Sequence, residues 1–277
     1  MAWTANLATP VSGLQALIES NLVAGGWAAI DAANDVYGST NNQGAANVLQ
    51  IQNWQSNGSP GSTGAWEKVA LQGWASWNTG SHSGTHGSGW MYLQYAPNNV
   101  GGATAVDLYM SVTTNRVIIL ITGTAPSYRP YFYFGGLDSL AGTSDSACVQ
   151  AFSCQVDNNL LAILQGILNQ SSWWQGNTLV LPCASGNNLH SQFLAANPAE
   201  ALMWPMSIQD YGSLFFRGNL DGMYFVPGGT NTPGAGPFTH CAAVTQASIT
   251  YLFWQPPNYS SLIDNTSFIN CLAVAEV

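Results

Sequence analysis

Residues 117–121 read Val-Ile-Ile-Leu-Ile, and no other feature of the chain restricts its fold as much. An apolar run so rich in β-branched residues favours an extended backbone, and in a strand it turns apolar side chains to both faces. Such a strand has to lie inside, with a packed layer on each side. Gly123-Thr124-Ala125-Pro126-Ser127 breaks the run, and Tyr131-Phe132-Tyr133-Phe134 follows as an aromatic strand closed by Gly135-Gly136. Arg116 and Arg129 stand on either side of the first strand.

Two cations in one short stretch matter because the chain has only four Lys and Arg, against 13 Asp and Glu. Charged residues make up 6% of the 277 positions, compared with about 25% in ordinary soluble domains. The net charge of −9 rules out nucleic-acid binding through a basic face. A surface so poor in charge is either covered with Asn, Gln, Ser, Thr and Gly or docked against neighbours. The 11 Trp, 11 Tyr and 10 Phe suffice for both a core and interfaces. The start, MAWTANLATP, shows neither the basic nor the apolar region of a secretory signal. No window approaches the length of a membrane-spanning helix. The expected site of synthesis is therefore the cytoplasm, where the cysteines at 148, 154, 183, 241 and 271 would be buried thiols. A Cys148–Cys154 pair across their short loop stays open.

Apolar residues at Val11, Leu14, Leu17, Ile18 and Leu22 give the spacing of an amphipathic helix from Pro10 to about Asp35, capped by Thr9 and ended or interrupted at Gly25-Gly26. From Gly38 to Gly64 the composition predicts a long polar loop or arm. Strands are expected at 66–74, 90–95, 106–112 and 117–122, forming a meander, with Asn115 as the turn residue because Asn tolerates positive φ. A second helix is expected at 158–168 from the stripe of Leu160, Leu161, Leu164, Ile167 and Leu168. Residues 197–204 suit a helical turn. Further strands are expected at 178–181, 213–217, 222–226, 247–254 and 267–275. The fold class is thus mainly β (α+β): an antiparallel β-sandwich-like core with an N-terminal helix and one mid-chain helix. The chain reads as one β-rich domain, 1–277, or as two intimate lobes: 1–146 with the first helix and the meander, and 147–277.

No catalytic, cofactor-binding or metal-binding residue is assigned. His82 and His86 have a spacing that suits zinc on a helix, but they lie among glycines and lack the Glu of a metalloprotease motif. His190 and His240 have no motif around them, and no Gly-x-Ser-x-Gly elbow occurs. Asp210 and Asp221 lie among aromatics, without the measured separation that glycoside cleavage needs. The glycine stretches 84–89 and 228–236 lack a P-loop lysine.

Three stretches carry a resemblance: TPVSGLQALIESNLVAGGWAAID at 9–31, NRVIILITGTAPSYRPYFYFGGLDSL at 115–140, and RGNLDGMYFVPGG at 217–229, ahead of a closing strand FINCLAVAEV. Together they resemble a family of structural proteins of the tailed-bacteriophage virion. The resemblance implies a tail, baseplate or neck component without enzymatic activity or cofactor, located in the virion. Its expected partners are its own copies in a symmetric homo-oligomer and other virion proteins. Arg116, Arg129, Tyr131, Tyr133 and Arg217 are the expected interface residues. The two arginines, 116 and 129, are expected to pair with a carboxylate such as Asp107 or Asp138, or else to be solvated at strand ends. Two rival readings remain. One is a glycan-binding tail tip, with Trp74, Trp77, Trp90, Tyr131 and Tyr133 stacking on sugars. The other is a virion-associated hydrolase of the cell wall.

Overall fold

The apolar run forms the centre of the largest sheet in the computed structural model, which describes residues 3–42, 44–54, 68–74, 76–85, 90–96, 100–124, 128–138, 148–153, 165–167, 179–180, 203–209, 216–228, 240–254 and 269–276. Nineteen strands are assigned among these residues. In chain order they are β1 Thr4–Pro10, β2 Ala28–Asp31, β3 Val36–Thr40, β4 Ala46–Trp54, β5 Lys68–Trp74, β6 Ser76–Asn78, β7 Ser83–Thr85, β8 Met91–Gln94, β9 Ala105–Val112 and β10 Arg116–Thr122. The remainder are β11 Tyr131–Asp138, β12 Cys148–Ser153, β13 Gln165–Ile167, β14 Leu179–Val180, β15 Trp204–Gln209, β16 Phe216–Gly228, β17 Ala242–Gln246, β18 Ile249–Trp254 and β19 Ile269–Ala275. Every pairing among the described residues is antiparallel, and the mainly-β class expected from the sequence is what the chain adopts.

The large sheet runs β1-β9-β10-β11-β16-β19-β18-β17, with β12 and β13 branching from β11 and β14 reaching β16 through β15. A second sheet runs β2-β3-β4-β5-β8, and β6 with β7 make a separate hairpin. On one face of β10, Val117, Ile119 and Ile121 join a core with the helix residues Leu14, Ile18 and Leu22 and with Leu49, Ile51, Val69 and Leu71 of the small sheet. Ile118 and Leu120, alternating with these, are also fully buried. Both sides of the strand are therefore covered, as its composition requires.

The second cover is the large sheet itself. Tyr109 on β9 contacts Trp254 on β18, with ring centroids 6.0 Å apart. Thr122 on β10 meets His240, next to β17, and Trp3 Nε1, just before β1, donates to Val274 O on β19. Strands distant in the sheet order touch, so the sheet rolls over upon itself as its twist accumulates.

Several expectations change. The helical stretch is short: a 3₁₀ turn at Val11–Gly13 leads into α1, Leu14–Ala24, and residues 28–31 are strand rather than helix. The stop is steric. A Cβ on Gly25 would fall 2.3 Å from Val112 Cγ1, and Gly26 has φ +93°, so the glycines let the chain turn sharply against β9. Thr9 caps nothing; its hydroxyl donates to Asn6 O, and Pro10 is the last residue of β1. Within 38–64, residues 38–40 and 46–54 pair in the β3–β4 hairpin rather than forming a loop; 43 and 55–67 lie outside the described residues. The expected meander is divided between two sheets, since β5 and β8 belong to the small one. Asn115 does not adopt positive φ; its side chain does the work instead, as set out below. Of the expected mid-chain helix, Gln165–Ile167 is a strand paired with β12, and the rest lies outside the described residues. Residues 216–217 and 222–226, expected in two strands, belong to a single long one, β16, while 213–215 lie outside the described residues.

Candidate functional site

Three polar clusters stand out, and the most buried surrounds Arg116. Its side chain is 1% exposed, because β10 carries it into the roll on the same face as Ile118 and Leu120. Nη1 donates to Ser111 Oγ at 2.8 Å and to Ser111 O at 3.4 Å. Nε lies 3.3 Å from Asp221 Oδ2, whose side chain is 26% exposed. Asn115 Nδ2 donates to the same oxygen at 2.8 Å. The Asp221 backbone N–H donates to Tyr133 Oη at 3.1 Å, and that hydroxyl donates to Gly136 O. Gly222 has φ +70°, and a Cβ there would stand 2.4 Å from Arg116 Nη2; the guanidinium occupies the space a side chain would need.

The small sheet clasps the β9–β10 turn from outside. Asn47 Nδ2 donates to Thr114 O and Asn115 O, Ser39 Oγ to Thr114 O, and the Asn42 N–H to Asn115 Oδ1. Trp27 Nε1 donates to Thr113 O at 2.7 Å. Neutral amides and hydroxyls thus join both sheets around one internal ion pair.

This arrangement answers what the expected interface residues do. Arg116 has a carboxylate partner, but it is Asp221; Asp107 instead accepts from the Ala8 N–H. Arg116, Tyr131 and Tyr133 are buried within the subunit, so they cannot present a contact surface to a neighbour. The same burial takes Tyr131 and Tyr133 out of the sugar-stacking reading. Arg129 is half-buried, and burial lowers its pKa. The side chain of Arg217 lies outside the described residues.

The second cluster gathers Tyr109, Thr122, Arg129, His240 and Cys241 where β17 and β18 cross β9 and β10. Thr122 Oγ1 lies 3.0 Å from His240 Nε2 and 3.9 Å from Cys241 Sγ. Cys241 has φ +61°, a strained conformation for a non-glycine residue. Thiol and imidazole side by side suggest acyl-transfer chemistry, but their electrostatics run the other way. Burial, with Arg129 nearby, pushes His240 down to about 3, and burial raises the Cys241 thiol. At neutral pH both rest uncharged, so a thiolate–imidazolium pair does not form.

The third cluster lies on the small sheet. Asp31 Oδ2 receives His82 Nδ1 at 2.7 Å, Asn34 Nδ2 at 2.9 Å and Trp77 Nε1 at 3.0 Å. The His82 bond, followed by those from Trp77 and Asn34, outweighs burial and holds this carboxyl at about 2. His82 therefore has a carboxylate partner; His86 and His190 lie outside the described residues. Among the described residues no group of three metal-ligating side chains occurs, and no helix is long and apolar enough to cross a membrane.

Asp221 carried no local sign of its role, since it lies 106 positions from Asn115 and reaches it only through the roll. Gly222 beside it was a usable signal: a glycine inside an apolar strand marks a close approach. No protein-family model matches the chain, and no curated protein matches it either.

Proposed function

We propose that this chain is a structural component of a tailed-bacteriophage particle, in the tail, baseplate or neck, assembled as a symmetric homo-oligomer and joined to other virion proteins. The observation that carries this reading is the composition of the sheet ends. Among the described residues, the strands that terminate the paired order are β1, β13, β14 and β17 in the large sheet and β2 and β8 in the small one. Asp31 is their only charged residue, and its side chain is turned into a hydrogen-bonded cluster.

Proteins that remain monomeric guard their sheet edges with lysine, other charges or proline. Among the described edge strands such devices are few: β1 has Pro10 at its end and a bulge around Ala8, and β2 has an irregularity between Ala29 and Asp31. Leu7, at 63% exposed, still faces outward beside that bulge. Edges without charge can meet other chains with no ionic desolvation cost. The spending of Arg116 inside the fold points the same way, because it removes one of four cations from the exterior. The sequence resemblance at 9–31, 115–140 and 217–229 supplies the particle context.

Mass spectrometry of purified virions, with copy number measured by isotope-labelled peptides, tests the reading. A stoichiometry of three, six or twelve copies per particle is expected. Absence of the chain from purified particles would refute it.

A further inference from the structure

One corner of the small sheet combines groups that the fold alone does not require. Leu49, Ile51, Val69 and Leu71 face the core, so Gln50, Gln72 and Trp74, alternating with them on β4 and β5, lie on the opposite face, where Gln50 is buried and its Nε2 donates to Asn34 O. The β6–β7 hairpin leans on this face. Trp77 meets Trp74 edge to face with ring centroids 5.4 Å apart, and Gly84 lies flat on Trp74, where a Cβ would be 2.2 Å from the ring. Trp74 Nε1 donates to Gln50 Oε1 at 3.4 Å. Both indoles remain partly exposed.

Beside them is Asp31, whose side chain is 4% exposed and whose second oxygen has unused capacity. Three donors converge on Asp31 Oδ2, and among the described residues none reaches Oδ1. His82, in left-handed backbone with φ +49°, uses one ring nitrogen on Asp31 while its side chain stays 57% exposed. Its other nitrogen, Nε2, lies on the side of the ring away from that bond. Two indoles, an ionised acceptor and an exposed imidazole therefore share one small region.

We propose that this corner binds a neutral saccharide. The apolar face of a pyranose lies against indole surface, and its hydroxyls donate to Asp31 Oδ1 and bond His82 Nε2. An anionic ligand does not suit an ionised acid in a chain of net charge −9. A purely apolar one leaves the carboxylate oxygen without a donor. A hydroxyl-bearing ring supplies both kinds of surface, the usual make-up of a small-ligand site. The glycan contact is thereby placed on Trp74 and Trp77, away from the buried Tyr131 and Tyr133. It does not depend on membership of a particle: sugar binding by a free monomer would sustain this proposal while refuting the virion reading.

The test follows the indole N–H signals of the ¹⁵N-labelled full chain during titration with maltoheptaose, cellohexaose and chitohexaose. The expected result is a saturable shift of the Trp74 and Trp77 signals with at least one of them. The dissociation constant should rise about tenfold or more, a loss of about 1.4 kcal/mol, in both His82→Ala and Trp77→Ala. His82→Ala removes an exposed side chain, so it decides the matter even if Trp77→Ala unseats the hairpin. No saturable shift with any of the three sugars would overturn the proposal. So would an affinity unchanged in His82→Ala.

Discussion

Removing Asp221 would isolate a positive charge at the centre of the fold. Arg116 is 1% exposed, with Nε 3.3 Å from the carboxylate, and its other contacts are the neutral Ser111 groups. Breaking a fully buried pair from one side costs roughly 3–5 kcal/mol. Asp221 is 26% exposed, so water screens part of the attraction and the lower end applies: about 3 kcal/mol for Asp221→Ala. For a chain of this size that corresponds to a fall in Tm of ~6 °C. Arg116→Met keeps much of the volume and removes the charge, leaving Asp221 partly in water, and should cost about 2 kcal/mol or less. The double variant should then be less destabilised than the two singles combined, by at least about 1.5 kcal/mol. Urea denaturation followed by circular dichroism measures all four proteins. A loss below about 0.5 kcal/mol for Asp221→Ala, or simple additivity in the double variant, would show that the pair does not hold the roll together.

Other consequences follow from the remaining clusters. His240 is held neutral down to about 3, so the unfolded chain takes up a proton below pH ~6.5 that the folded chain refuses. Stability should therefore fall by up to about 1.4 kcal/mol per pH unit between pH 6 and 4, and His240→Gln should flatten that slope in denaturation curves. Asp31 has its pKa lowered to about 2; its contribution is complete above pH ~4 and is lost as pH falls towards 2. Tryptophan fluorescence of the Trp74–Trp77 pair should change in that window, and Asp31→Asn should abolish the change. Gly25→Ala would drive a Cβ to 2.3 Å from Val112 Cγ1 and should cost about 1–3 kcal/mol by overpacking, measurable as a lower midpoint in urea.

Strand identity was legible where local composition decides it. The 117–121 run had to be covered on both faces, and its odd and even positions are buried on opposite sides of the large sheet. The strands near 68–74, 91–94, 105–112 and 249–254 were readable for the same reason. What could not be read was the assignment of β5 and β8 to a separate sheet, because pairing depends on long-range register and not on propensity. The hairpin Val36–Thr40 with Ala46–Trp54 was obscured by its Asn, Gln and Ser. Asn47, for example, looks like a loop residue, yet it is fully buried and clasps the β9–β10 turn. The end of the helix at Gly25-Gly26 was legible from the glycine pair, and contact with Val112 enforces it; that the chain beyond it turns into β2 was not. A carboxylate partner for Arg116 was foreseeable from the scarcity of charge; its identity as Asp221 required the rolled sheet.

The measurement that bears most directly on assembly is multi-angle light scattering of the purified full chain after size exclusion, run over a hundredfold range of concentration. The chain mass is 29.3 kDa. Uncharged sheet edges predict a single species at an integral multiple of that mass, persisting in 1 M salt because no ionic contact holds it. A 29.3 kDa particle at every concentration would contradict the account.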